Sequence, residues 1–80
     1  MPVVYRWKDC TFFFFSNEGD PREPPHIHVR SNGLRAKFWI KPVALAENIG
    51  FPAQELNKLM GVISENEDLI ERAWHEHFSA

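Results

Sequence analysis

Two histidines, His26 and His28, stand two residues apart in a stretch that alternates polar and apolar side chains. On a β-strand that spacing projects both imidazoles from one face. An exposed imidazole titrates near neutrality, which suits it to proton transfer. Arg30, Arg35 and Lys37 continue the same alternation, and guanidinium and ammonium groups hold phosphate oxygens. Trp39 adds a flat aromatic surface on which a base can stack. A metal-independent ribonuclease needs a base for the 2′-hydroxyl, an acid for the leaving oxygen and cations for the crowded phosphorane. His28 and His26 are therefore the candidate catalytic pair, and Arg30, Arg35, Lys37 and Trp39 the candidate RNA-binding residues. That chemistry requires no cofactor. His28 is the first choice, because it falls opposite Lys37 and near both arginines; His26 directly follows Pro25 and is also suited to fixing the loop.

Two other readings of the same residues stand beside this one. The face can be a polar solvent surface with a histidine packed against Trp39. It can also hold a metal, with two ligands from His-x-His and a third from Asp20 or Glu23. A zinc site wants three or four ligands, and neither a cysteine pair nor an HExxH spacing occurs.

The elements that position these residues are legible from pattern. Asn32-Gly33 between two alternating runs is a strong hairpin signal, because a type I′ turn needs positive φ at both positions. A two-residue loop sets Arg30 opposite Arg35, His28 opposite Lys37 and His26 opposite Trp39. Ile27, Val29, Leu34, Ala36, Phe38 and Ile40 then share the core face, while the histidines and cations meet solvent or a ligand. Cys10–Ser16 reads as a strand whose phenylalanines point both ways, so its second side calls for cover from a partner chain or from a short strand around Val3–Trp7. The prolines, Gly19 and Asp20 between Asn17 and Pro25 exclude regular structure. A last strand, about Val43–Ile49, brings Val43 and Leu45 to the core face and Ala44 and Ala46 to the histidine face.

Pro52 reads as an early helical position, and Leu56, Leu59, Met60 and Ile63 recur at helical spacing. Ser64 and Glu67 fit a capping box, with Asn66 as a rival N-cap. A second helix follows with Ile70, Ala73, Trp74 and His77 on one stripe. The expected architecture is α+β: one domain over 1–80, a small antiparallel sheet of about four strands within 3–49, and two C-terminal helices, about 52–64 and 66–78, packed on one face.

Composition bounds the rest. Eighty residues with 44% hydrophobic content, seven Phe and three Trp can build one core. A lone cysteine, Cys10, forms no internal disulfide and points to a reducing compartment. Phe12–Phe15 is far too short to span a bilayer, and no apolar leader follows basic residues at the start, so a cytoplasmic protein is expected. Residues 26–42 carry Arg30, Arg35, Lys37 and Lys41 and no acid, whereas residues 52–80 carry six carboxylates against Lys58 and Arg72. Sheet and helices therefore present opposite charge. His75 and His77 lie about 200° apart around a helix and cannot share a ligand; His77 fits a packed histidine. Cys10 fits a buried, inert thiol. No glycine-rich phosphate loop or nucleophile elbow occurs, which removes support for nucleotide hydrolysis and serine-type catalysis.

Three stretches resemble the family called domain of unknown function 4160. They are Pro24-Pro25-His26-Ile27-His28-Val29; Ala36-Lys37-Phe38-Trp39-Ile40 with Pro42-Val43 and Leu45-Ala46-Glu47-Asn48; and Leu69-Ile70 leading into Ala73-Trp74-His75-Glu76-His77-Phe78. The chain departs where many members have a further histidine before the double proline, since it reads Asp20-Pro21-Arg22-Glu23, and where many begin the first helix with serine rather than Pro52. The resemblance implies a prokaryotic protein encoded beside a small protein of the family called domain of unknown function 2442. That pairing implies a type II toxin–antitoxin module, with this chain as candidate toxin and the neighbour as antitoxin-like partner. The rival expectation is a non-catalytic interaction module that binds such a neighbour through its aromatic strand and acidic helices.

Overall fold

The computed structural model describes residues 3–15 and 24–78. Five strands form one antiparallel meander: β1 (Val3–Trp7), β2 (Cys10–Phe13), β3 (His26–Ser31), β4 (Leu34–Ile40) and β5 (Val43–Ile49), in that spatial order. Two helices follow, α1 (Ala53–Glu65) and α2 (Glu67–Phe78). The α+β architecture is as expected, with five strands in place of about four because Val3–Trp7 pairs with β2, with a register shift between Val3 and Tyr5.

The β3–β4 hairpin turns through Asn32 (φ 48°) and Gly33 (φ 83°), the positive pair that a type I′ turn demands. All six cross-strand pairs follow, from Ser31 opposite Leu34 to His26 opposite Trp39. β2 ends at Phe13, three residues short of the expected strand. Phe14 leaves the sheet and packs beneath α2, edge-on to Trp74 with centroids 5.4 Å apart.

The core lies between one sheet face and the helices. Phe12, Ile27, Val29, Ala36, Phe38 and Ile40 from the sheet meet Leu59, Val62 and Ile63 of α1 and Ile70 and Trp74 of α2. Burying each large side chain contributes about 1.5–3 kcal/mol. Leu56 and Met60 are half-buried at its border. Tyr5 of β1 stacks on Phe12 at 4.4 Å, closing the core at its β2 side.

β5 departs from simple alternation. Phe38 pairs with Leu45 but Lys37 pairs with Glu47, so Ala46 is an extra residue in a bulge. A bulge shifts the phase of every side chain beyond it. Leu45 stays on the core side but at this edge it is 40% exposed. Past β5, the Asn48 side chain accepts from the Phe51 amide (3.1 Å) and donates to its carbonyl (3.0 Å). Gly50 sits between them at φ 95°, a value that disfavours side chains.

α1 starts at Ala53, with extended Pro52 just before it. The expected capping box is not formed: Ser64 lies inside α1, and Asn66 forms the junction. The Asn66 side chain donates back to the Val62 carbonyl (2.8 Å), while its own carbonyl accepts from the Ile70 amide (2.9 Å). It thus closes one helix and opens the next, satisfying orphan groups of both. Lys41, in the β4–β5 turn, pairs with Glu71 of α2 at 2.9 Å, and this hydrogen bond and charge hold its ammonium above the usual lysine range. No helix among the described residues is long and apolar enough to cross a membrane.

Candidate functional site

On the sheet face away from the helices, the registers of the meander arrange side chains in rows. Thr11, Arg30, Arg35 and Ile49 form one row; Phe13, His28, Lys37 and Glu47 form the next; His26, Trp39 and Ala44 form the third. Adjacent strands stand ~4.8 Å apart, and successive rows lie roughly 7 Å apart along them. Every candidate residue from the sequence, His26, His28, Arg30, Arg35, Lys37 and Trp39, belongs to this grid.

The centre is built on aromatic rings. Phe13 stacks beside His28 with centroids at 5.5 Å, and Phe15 meets the same imidazole edge-on at 4.5 Å. The Arg30 guanidinium lies 5.4 Å from the Phe13 ring centre. Phe13 is thereby buried by its own chain, so the second side of the aromatic strand does not require a partner. On β4, the Lys37 ammonium sits 4.7 Å from the Trp39 ring centre. Such cation–π contacts draw each charged group to a ring face.

His26 departs from expectation. Register places it on the open face, but it is 0% exposed. Trp74 of α2 covers it at 4.8 Å, Trp39 meets it at 5.6 Å, and His28 lies edge-on at 5.3 Å. Its Nδ1 is 3.0 Å from the Pro24 carbonyl; because a carbonyl can only accept, Nδ1 carries the proton in that bond. His26 therefore ties the double-proline segment to the sheet, the loop-fixing role its position after Pro25 allows. His28, half-buried, is the histidine that lines the cleft.

That cleft encloses about 120 Å³ between Phe13, Phe15, His28, Lys37, Glu47 and Ile49. A second, more polar groove lies at the hairpin end, with Asp9, Thr11, Arg30 and Arg35 among its walls. Arg30 and Arg35 are direct cross-strand partners, an arrangement of like charges that an anion between them would relieve.

Glu47, Ile49, Phe13 and Phe15 are site residues that sequence reasoning passed over. Straight alternation sends Glu47 and Ile49 to the core side; the Ala46 bulge returns them to the open face. The one sequence signal is weak: Ala46, Glu47 and Asn48 are all poor strand formers. Among the described residues no group of three His, Cys, Asp or Glu side chains could hold a metal ion; Asp20 and Glu23, the suggested third ligands, lie outside the described residues.

The other titratable candidates are peripheral. Cys10 is buried, and burial, followed by the nearby Asp9 carboxylate, pushes its thiol up, consistent with an inert side chain. His77 is exposed rather than packed into the core, resting against Phe14 and Phe78.

The fold and site define a class: a five-stranded antiparallel meander with two C-terminal helices on one face and a His/Arg/Lys/Trp grid on the other. The family model described as Domain of unknown function (DUF4160) matches residues 10–75, and the chain belongs to this family. No curated protein and no solved structure matches the chain.

Proposed function

We propose that this protein is the toxin component of a prokaryotic type II toxin–antitoxin module and contacts RNA through the open sheet face. The observation that carries the reading is the adjacency of two rows. Arg30 and Arg35 face each other in one, and His28 and Lys37 face each other in the next. The first row suits one phosphate; the second suits the neighbouring phosphate and the chemistry upon it. Trp39, held against Lys37, offers a stacking surface beyond them. Cleavage on this face is metal-independent and turns on His28. The toxin assignment rests on the pairing that the family resemblance implies with a small protein of the domain of unknown function 2442 family, which on this reading is the antitoxin-like partner. Expression alone should arrest growth and co-expression with the neighbouring gene should restore it; normal growth at high level without the neighbour contradicts the toxin reading.

The rival reading, a non-catalytic interaction module, is favoured by one feature. Both edge strands expose large apolar side chains, Val3 at 44% on β1 and Ile49 at 63% on β5. Recovery of the neighbouring gene's product in a complex free of RNA, from a chain that leaves RNA intact, would select it.

A further inference from the structure

Glu47 reaches the open face only through the bulge at Ala46, and there it pairs with Lys37, which pairs in turn with His28. Residues that carry a carboxylate, an ammonium and an imidazole thus stand in register across β5, β4 and β3. The backbones of the outer two are roughly 10 Å apart, two strand spacings. Both outer side chains line the same cleft. His26 is no rival for the second role, because it is fully buried and its Nδ1 is engaged by Pro24.

We propose that Glu47 is the second proton-transfer group of this site, acting with His28 on a phosphodiester of single-stranded RNA held at Lys37. The inference rests on the RNA reading above. In-line displacement at phosphorus puts the entering and leaving oxygens on opposite sides. Each needs a group within about 2.6–3.2 Å. Glu47 and His28, in register on either side of Lys37 and lining one cleft, are the pair available to supply those groups. The Glu47 carboxylate takes the proton of the 2′-hydroxyl, and the 2′-oxygen forms a bond to phosphorus. The bond from phosphorus to the 5′-oxygen breaks, and that oxygen takes a proton from the His28 imidazolium. Lys37 neutralises the phosphorane between them. The products are a 2′,3′-cyclic phosphate and a 5′-hydroxyl; one proton has moved from His28 to the leaving oxygen and one from the 2′-hydroxyl to Glu47, so nothing else is consumed.

The Phe13 and Phe15 rings beside His28 keep the acid in a partly dry setting. Glu47 is exposed and open to the substrate's ribose edge. Pairing with Lys37 alone would account for a carboxylate here, so the test must separate proton transfer from support of the lysine.

The full-length chain is mixed with a short single-stranded RNA of mixed sequence, and single-turnover cleavage is followed across pH. The all-2′-deoxy strand, which cannot be cut by this route, reports binding. The expected result is cyclic-phosphate ends from the parent. Glu47→Gln should lower the rate roughly 10²–10⁴-fold, remove the acidic limb of the pH profile and leave affinity for the deoxy strand unchanged or higher, since a like charge is gone. Glu47→Asp should retain part of the rate. A Glu47→Gln protein with the parent's rate and acidic limb, while His28→Asn is inactive, overturns the role of Glu47 and leaves the RNA reading standing. Loss of deoxy-strand binding along with rate overturns it in favour of a supporting contact to Lys37. A parent that binds RNA but never cuts it overturns the proton-transfer role; a parent that does neither overturns the RNA reading as well.

Discussion

The imidazole of His26 lies edge-on against that of His28, with ring centroids 5.3 Å apart and planes at 83°. One ring is wholly buried and the other lines the cleft, so the pair divides into a support and a working group. His26→Ala should remove the bond to Pro24 and leave a void under Trp74, costing about 2–4 kcal/mol. His28→Asn should stay within about 1 kcal/mol of the parent. Urea unfolding of the two variants checks this; equal midpoints would mean that His26 is not the structural member of the pair.

Tyr5 and Cys10 make the fold sensitive to alkali. Burial pushes the Tyr5 phenol above its ordinary 10.0 and, with Asp9, the Cys10 thiol above 9.0. Both are acids that ionise in the unfolded chain before they ionise in the folded one. Stability is therefore full below the unfolded thiol value and falls as pH rises past the unfolded values towards the higher folded ones. The Tyr5 hydroxyl is also buried without a hydrogen-bond partner among the described residues. Tyr5→Phe should raise stability at neutral pH by up to about 1 kcal/mol and reduce the alkaline loss. Thermal unfolding at neutral and alkaline pH reads both, and a variant weaker than the parent at neutral pH would show that the hydroxyl is satisfied.

Arg30 and Arg35, directly opposed, should trade stability for binding. Removing one of two like charges in a cross-strand pair stabilises by about 0.2–1 kcal/mol, an effect that salt screens. Arg35→Gln is expected to make the free protein slightly more stable at low salt, equal at high salt, and poorer at binding RNA. Loss of stability at low salt would mean that the two guanidiniums do not repel.

Local chemistry made much of this site legible. The Asn32-Gly33 turn fixes all six pairs of the β3–β4 hairpin, so the shared face of His28, Arg30, Arg35, Lys37 and Trp39 follows from sequence. What escaped depends on contacts distant along the chain or on a one-residue irregularity. His26 is buried by Trp74, far away in α2, and no local pattern reveals that. Phe13 is covered by His28 and Phe15 from its own chain, where alternation alone asked for other cover. Glu47 and Ile49 change face because Ala46 is extra, and propensity only weakly marks a bulge. Asn66 took the junction that Ser64 and Glu67 fitted as a box, because α1 runs on to Glu65 and places Ser64 within it.

On the proposed reading the open sheet face holds RNA through its cations, so binding must depend on salt. Fluorescence anisotropy of a short single-stranded RNA, titrated with the purified chain over a salt series, tests it most directly. Log affinity should fall linearly with log salt by about 0.7 for each phosphate contact. Arg35→Ala and Lys37→Ala should each weaken binding and flatten the slope. Absence of binding at the lowest salt, or an affinity that salt leaves unchanged, would mean that this face does not hold RNA through phosphate contacts.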